Sequence, residues 1–204
     1  IYYPDGQPHP KVIIFVHGGA WKSGDKSLYT ELGLTFAGFY NFTTVIINYE
    51  LSNPNDGSAV HPDHINDVAA AFAWVKNNIA NYGADPSKLF LLGHSAGGHL
   101  VSLLATDSRY LSAVGCSPAN IKGVVSFSGA YDLYALVKYP LNALKLSPSE
   151  ILMYKALCLT AFGSYSSSVL TPASPNSYEN RLQPAFRLVY TENDLPALDK
   201  ESVN

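Results

Sequence analysis

The chain has 204 residues, of which 47% are hydrophobic and only 14% are charged, and its formal net charge is −3. A chain of this length and hydrophobicity can bury one sizeable core, so a single domain is expected over residues 1–204. The small net charge and the lack of a basic tract exclude nucleic acid as an expected partner, and no apolar run approaches the ~20 residues that cross a membrane.

The two cysteines, Cys116 and Cys158, are far apart and show no CxxC or Cys/His spacing. We therefore expect free thiols in a reducing compartment, and neither a metal site nor a cofactor is predicted. The lack of a visible signal peptide favours a cytoplasmic location. Because the chain opens on Ile1 rather than on a methionine, its original N-terminus is interpreted as missing, and this argument has little weight.

Strands and helices alternate along much of the chain. Strands are predicted at 12–16 and 43–49, a helix at 64–79, a strand at 89–92, a helix at 96–105, and strands at 121–127 and 185–190. The strand segments are continuous runs rich in β-branched and aromatic residues, as expected of parallel strands covered on both faces. The first helical segment instead repeats its apolar residues along one face. This alternation predicts an α/β fold with a mostly parallel sheet flanked by helices.

The alternation breaks down between about residues 133 and 184. Several prolines interrupt this segment, and residues 164–168 form a serine-rich patch. One helix is predicted, roughly Pro148 to Phe162, with Ser147 as its N-cap and the proline in its first turn. We interpret the segment as a cap-like or irregular excursion over the carboxyl edge of the sheet, where α/β enzymes place their binding loops.

The pentapeptide Gly93-His94-Ser95-Ala96-Gly97 stands between the predicted strand 89–92 and the predicted helix 96–105. A G-x-S-x-G sequence at a strand-to-helix turn forces the serine into a strained conformation and lifts its hydroxyl clear of the sheet edge. Glycine is needed on both sides, because a larger residue would collide with neighbouring backbone. The pentapeptide alone is a weak signal. Its position between a strand and a helix predicts Ser95 as the nucleophile of a serine hydrolase.

A second glycine-rich turn, His17-Gly18-Gly19-Ala20-Trp21, follows the first predicted strand. Such a turn exposes backbone N–H groups, and those of Gly19 and Ala20 are predicted to join that of Ala96 in an oxyanion hole. The simpler interpretation is a turn that ends a strand, in which glycine supplies a positive φ. The G-x-S-x-G motif further along the chain favours the oxyanion hole.

Two aspartates compete for the role of the acid that orients a catalytic histidine. Asp194 follows the last predicted strand, at the carboxyl edge of the sheet, and its position fits the chain order serine, aspartate, histidine. Asp132 follows the strand 121–127 and is the competitor. We favour Asp194, while either carboxylate can instead be a solvated loop residue.

No histidine occupies the place expected of the catalytic base. The chain has six histidines, which are His9, His17, His61, His64, His94 and His99. Structural interpretations are preferred: His17 stiffens the glycine-rich turn, His61 and His64 are partly exposed at the start of a helix, and His99 takes a packing or edge position one turn along the helix of Ser95. A final strand, a loop histidine and a helix are therefore expected after Asn204.

Both glycine motifs and several segments around them resemble the α/β-hydrolase superfamily. The resemblance is strongest to its HGGxW branch, which holds arylformamidases, feruloyl-esterase-like enzymes and small carboxylesterases. It covers most of the chain and rests on residues 17–21, 67–75, 82–88, 93–100, 126–133, 174–175 and 191–194. The site that it implies consists of Ser95 as nucleophile, Asp194 as acid, and Gly19, Ala20 and Ala96 as oxyanion donors.

The resemblance also implies that Trp21 lines the acyl or aryl pocket, and His94, beside the nucleophile, is assigned to the same pocket. The strands that normally precede the first one and the region with the triad histidine are absent, so the α/β-hydrolase fold is interpreted as truncated at both ends. The expected function is hydrolysis of a small-molecule ester or an aryl formamide, with the oligomeric state left open. The absent histidine leaves an alternative, a non-catalytic hydrolase-fold protein that binds a ligand or a partner.

Overall fold

Five strands form one sheet at the centre of the protein. The computed structural model describes residues 1–6, 11–138, 146–178, 183–191 and 194. The strands are β1 (Lys11–Val16), β2 (Phe42–Ile47), β3 (Leu89–His94), β4 (Ile121–Phe127) and β5 (Phe186–Val189). Every strand predicted from the sequence is present, with some ends moved by one or two residues. His9 lies outside the described residues.

The strands lie in the order β2-β1-β3-β4-β5, and every neighbouring pair is parallel. The predicted α/β fold, with a parallel sheet flanked by helices, is therefore confirmed. The chain passes from β1 outward to β2, then returns past β1 to β3 and continues to β4 and β5. Because the direction of winding changes between β1 and β3, a crevice opens at their carboxyl ends, where open α/β sheets bind ligands.

Helices cover both faces of this sheet. In the described part of the chain they are α1 (Thr30–Tyr40), α2 (Asp63–Asn78), α3 (Ala96–Thr106), α4 (Ser108–Ala113), α5 (Leu133–Val137), α6 (Pro148–Phe162) and α7 (Ser167–Leu170). The predicted helices correspond to α2, α3 and α6. The predicted cap of α6 is also present, since the Ser147 hydroxyl accepts from the backbone N–H of Glu150 while the Glu150 carboxylate accepts from that of Ser147.

Helix α1 is absent from the elements predicted from the sequence. Two glycines, Gly33 and Gly38, weaken its intrinsic helix propensity. The first of them has a tertiary role, because a Cβ there would run into the ring of Tyr2. The backbone of Tyr2 in turn forms an antiparallel bridge with Thr44 of β2. Helix α1 therefore forms because it packs against this N-terminal segment, and not because of its intrinsic helix propensity.

The segment 133–184 is more helical than predicted in the parts that the structure describes. It contains α5, α6 and α7, followed by short 3-10 turns at Thr171–Ala173 and Pro175–Tyr178. Residues 139–145 and 179–182 lie outside the described residues. The segment is joined to the rest of the protein by backbone hydrogen bonds, such as the one of 2.8 Å from the His61 N–H to the Ala161 carbonyl.

The core divides into a large and a small layer, one on each face of the sheet. Alternate residues of β1 point to opposite faces, so that Val12, Ile14 and Val16 join the large layer while Ile13 and Phe15 join the small one. Helix α3 lies in the large layer and is buried along its whole length. The nucleophile motif is therefore carried by a helix that has packing contacts on every side.

Two further expectations can be compared with the structure. Neither Cys116 nor Cys158 is in a disulfide, and the second is buried inside α6. Among the helices described here, none combines the length and the apolar character that crossing a bilayer requires.

Strand β5 is less covered than the other strands, with Arg187 and Leu188 exposed.

Two glycine-to-alanine changes test how closely α3 approaches β1. At Gly97 a Cβ would overlap the backbone carbonyls of Val16 and His17, so we expect Gly97→Ala to lower the free energy of unfolding by about 1–3 kcal/mol. At Gly38, on the exposed side of α1, a Cβ meets nothing within 4 Å, and Gly38→Ala is expected to raise the free energy of unfolding by about 0.5–1 kcal/mol. Urea denaturation of both variants measures the two effects. Equal effects of the same sign would contradict the close approach.

Candidate active site

Ser95 occupies a strained turn between β3 and α3. Its backbone angles are φ 54° and ψ −119°, a conformation that non-glycine residues rarely adopt. The turn is held by two hydrogen bonds: the Ser95 N–H donates to the Phe127 carbonyl at 2.8 Å, and the Ser95 carbonyl accepts from the His99 N–H at 3.0 Å. The side chain is partly exposed, as is required of a nucleophile. The strained serine expected from the G-x-S-x-G motif is therefore present.

The glycines of this motif are needed where two segments of backbone touch. A Cβ on Gly93 would collide with the carbonyl of Gly97. A Cβ on Gly97 would collide with the carbonyls at the end of β1. Both positions therefore exclude any side chain, as the sequence predicts.

The second glycine-rich turn lies directly against the first. A Cβ placed on Gly18 would stand 3.0 Å from the Cβ of Ser95 and 2.9 Å from the Nδ1 atom of His94. The turns after β1 and β3 thus meet at the change of winding described above. The structure brings the predicted nucleophile and the predicted oxyanion loop into one crevice.

The loop after β1 has an unusual backbone conformation. Gly19, Ala20 and Trp21 all have positive φ, at 124°, 51° and 59°. Among the described residues, no oxygen accepts a hydrogen bond from the N–H of Gly19 or Ala20, and both residues are partly exposed. Ala96 is the first residue of α3, so its N–H has no partner within the helix. Successive unpaired N–H groups beside a helix N-terminus form a concavity that suits an anion.

His17 supports this loop from below. Its ring is fully buried, its Nδ1 lies 2.8 Å from the Gly18 carbonyl, and it stacks on Tyr49 with ring centroids 4.6 Å apart. The Tyr49 hydroxyl also donates to the His17 carbonyl at 3.2 Å. These contacts agree with the interpretation that His17 stiffens the turn.

The two candidate acids have different surroundings. The Oδ2 atom of Asp194 accepts from the Ser128 hydroxyl at 2.7 Å and from the Thr191 N–H at 2.9 Å. Ser128 is itself buried and strained, with φ 50°. In contrast, the carboxylate of Asp132 caps helix α5, where it accepts from the Ala135 N–H at 2.9 Å. Asp132 thus has a structural role, while Asp194 is oriented by donors at the carboxyl edge of the sheet.

None of the described histidine side chains forms a hydrogen bond with Ser95 or Asp194. His94 is exposed beside the nucleophile, in a position that fits its assignment to the pocket. His61 is half-buried, with its Nε2 3.3 Å from the Tyr110 hydroxyl. The expectation that His64 is partly exposed is wrong, because its ring is buried and its Nε2 lies 2.7 Å from the Ser52 hydroxyl.

Burial keeps the interior histidines neutral. Loss of hydration, the largest cause in each case, lowers the pKa of His61 to about 4 and that of His99 to about 3, and it also lowers the pKa of His64. Each side chain is therefore uncharged at neutral pH. In the described part of the chain, no three His, Cys, Asp or Glu side chains come together as metal ligands.

Trp21 is almost fully buried. Only 6% of its surface is exposed, and its indole packs edge-on against Phe162 at 5.1 Å between ring centroids. Its Nε1–H donates to the Nδ1 atom of His99 at 3.2 Å. These contacts place the indole in the interior, and its role in lining an acyl or aryl pocket stays a prediction. The spacing of the sequence motif gave no sign of this partner, which lies 78 residues away.

A comparison with protein families shows the family of the chain. The family model described as BD-FAE matches residues 1–203. The chain belongs to the BD-FAE family. BD-FAE is an α/β-hydrolase family, which agrees with the resemblance seen in the sequence motifs.

Relatives in the curated collection are esterases by name. "Probable carboxylic ester hydrolase LipM" of Mycobacterium tuberculosis is 31% identical over 186 residues, which cover 90% of this BD-FAE chain and 41% of LipM. "Isoprenylcysteine alpha-carbonyl methylesterase ICME" of Arabidopsis thaliana is 32% identical over 144 residues, which cover 68% of this chain and 33% of that protein. The chain thus spans less than half the length of both relatives.

Solved structures share the fold of this BD-FAE chain. Esterase B of Lactobacillus rhamnosis matches with a TM-score of 0.78 at 22% identity, covering 98% of this chain and 63% of that chain. An esterase from Pyrobaculum calidifontis gives a TM-score of 0.77 at 23% identity, covering 98% of this chain and 62% of that one. At these identities the likeness shows a common α/β-hydrolase architecture.

The neutral histidines predict a loss of stability in mild acid. A histidine whose pKa falls on folding binds its proton more readily in the unfolded chain, so stability decreases as the pH drops below about 6.5. Each such group is expected to cost about 2 kcal/mol at pH 5. Urea denaturation at pH 7 and pH 5 measures the change. In His61→Phe the free energy of unfolding should depend less on pH, because one fewer proton is taken up on unfolding. An unchanged pH dependence would contradict the role of His61.

Proposed function

We propose that this chain carries the nucleophile, the acid and the oxyanion hole of a serine hydrolase that cleaves small carboxylic esters through an acyl-enzyme on Ser95. The observation that supports this most directly is the contact between the turns after β1 and β3, where Gly18 leaves no room for a Cβ beside Ser95. Acyl transfer needs a nucleophile and oxyanion donors within about 3 Å of one reacting carbonyl. The contact between these two turns supports a site of this kind.

In the proposed reaction, a base removes the proton from the Ser95 hydroxyl as its oxygen attacks the ester carbonyl. The carbonyl oxygen becomes an oxyanion, held by the N–H groups of Gly19, Ala20 and Ala96. The protonated base then gives its proton to the departing alkoxide, which leaves as an alcohol. A water molecule hydrolyses the acyl-enzyme by the same route and restores the serine.

The oxyanion donors are favoured by their backbone geometry. The positive φ angles of Gly19 and Ala20 turn successive N–H groups toward one side of the loop. The N-terminus of α3 adds the positive end of an 11-residue helix dipole beside Ser95. Each properly aimed donor contributes about 3–4 kcal/mol to transition-state stabilisation in enzymes of this type.

Asp194 is the acid of the proposal. Two donors, the Ser128 hydroxyl and the Thr191 N–H, bind its Oδ2 atom, so the other carboxylate oxygen can accept from the ring N–H of a catalytic histidine. No side chain of the described histidines is bonded to Ser95 or Asp194, so the proposed catalytic histidine is none of these residues.

The names of the relatives favour an ester as the substrate. They are a carboxylic ester hydrolase and a methylesterase, and both are more than twice as long as the matched segment. An aryl formamide is the second proposed substrate class. It would use the same steps, with an amine as the leaving group, and it rests on the resemblance of the sequence motifs to arylformamidases.

The absence of a described base leaves a non-catalytic ligand-binding protein as the competing function. Labelling of the full-length protein by a fluorophosphonate probe separates the two. The probe phosphonylates an activated serine, so we expect labelling that disappears in Ser95→Ala. Ser102→Ala, which removes a buried hydroxyl from the same helix, serves as the matched control and should label normally. A wild-type protein that does not react would rule out the hydrolase.

Replacement of the two aspartates tests the assignment of the acid. We expect Asp194→Asn to lower kcat for a small ester by roughly 10⁴-fold, because an amide no longer stabilises the imidazolium. Asp132→Asn should keep nearly full activity, since asparagine is as good a helix cap as aspartate. Steady-state kinetics of both full-length variants gives the comparison. The reverse pattern would assign the acid to Asp132.

A further inference from the structure

The loop that carries the proposed oxyanion donors is held in place by its surroundings. Two of its residues, Ala20 and Trp21, have left-handed φ angles without being glycine. Such a conformation costs about 1–2 kcal/mol per residue, so the free loop would favour other shapes. Contacts from outside the loop must therefore stabilise the geometry in which Gly19 and Ala20 present their N–H groups.

Trp21 supplies several of these contacts. Its backbone carbonyl accepts from the Ser52 N–H at 2.9 Å. Its indole is buried between the rings of His99 and Phe162, and its Nε1–H donates to the Nδ1 atom of His99 at 3.2 Å. Trp21 follows Ala20 directly in the chain, so any movement of the indole is transmitted to the donor N–H groups.

His99 joins this indole to the helix of the nucleophile. It lies one turn after Ser95 in α3, and its backbone N–H donates to the Ser95 carbonyl at 3.0 Å. Its Nε2 lies 2.8 Å from the Ala173 carbonyl. A carbonyl can only accept, so Nε2 bears the proton and Nδ1 is free to accept from Trp21. The two partners together fix a single neutral tautomer.

We propose that His99 is a positioning residue for the oxyanion hole. Through the Trp21 indole, it sets the distance between the N–H groups of Gly19 and Ala20 and the hydroxyl of Ser95. The inference rests on the proposed function, since it concerns the geometry of the same site. A misplacement of about 1 Å at such a site can cost 10²-fold in rate, so one hydrogen bond in the second layer can control turnover.

Trp21→Phe tests this inference, because it keeps an aromatic ring and removes the N–H donor together with part of the packed indole. We expect kcat for a small ester to fall roughly 10- to 100-fold in the full-length enzyme, while KM stays within about twofold. The matched control is Trp74→Phe on α2. It makes the same change in an exposed indole that lies beside the Tyr82 ring. Its kcat should equal that of the wild type.

A double variant distinguishes positioning from simple packing. If Trp21 and His99 act through their shared hydrogen bond, Trp21→Phe combined with His99→Leu should reduce kcat no further than His99→Leu alone. Two independent packing defects would instead multiply their effects. Multiplied effects, or a Trp21→Phe variant with the kcat of Trp74→Phe, would overturn the inference.

A spectroscopic measurement remains informative if a variant turns over too slowly to assay or fails to fold. The Trp21 indole proton can be identified by its proximity to the Phe162 ring, and a bond to an imidazole nitrogen should shift its NMR signal downfield of that of Trp74. An unshifted signal in the wild-type protein would disprove the bond. Fluorophosphonate labelling of the same wild-type sample reports on Ser95 alone, so a failure of the proposed function is recognised separately.

Discussion

The site depends on a contact between two segments of backbone that leaves no room for a side chain. Gly97 in the first turn of α3 lies against the carbonyls at the end of β1, and Gly18 after β1 lies against Ser95. Because the sheet order places β1 beside β3, the two glycine-rich turns start from adjacent strand ends. Short contacts between main chains are rigid, since no rotamer can relax them. Strand order and the two glycines together therefore create the crevice in which Ser95 lies.

A network of neutral hydrogen bonds surrounds this contact. The Trp21 carbonyl and indole are both bonded, to Ser52 and to His99, and the Ser52 hydroxyl in turn donates to the Ala59 carbonyl and contacts His64. The buried rings of His64 and His99 act as neutral hydrogen-bonding groups, because burial lowers the pKa of each. Buried polar groups that are fully paired specify one arrangement of the loops around them. Neutral imidazoles achieve this without the desolvation cost of a buried charge.

The sequence predicts the elements whose signals are local. Continuous apolar runs predict all the strands of the described sheet, and Ser147 before Pro148 predicts the start of α6. Helix α1 was missed because Gly33 suits the ring of Tyr2, a contact that no local pattern contains. Likewise, the two glycine motifs predict the candidate nucleophile and donors, while the burial of His64 and the bond between Trp21 and His99 depend on tertiary packing.

The excursion over the sheet is attached to α3 at Ala173, whose contribution is its main-chain carbonyl bonded to His99. A main-chain acceptor is present whatever side chain stands at that position. The sequence of the excursion can therefore diverge widely while its anchor on the nucleophile helix persists. Substitutions in this segment can thus accumulate while the Ala173 carbonyl still accepts from His99.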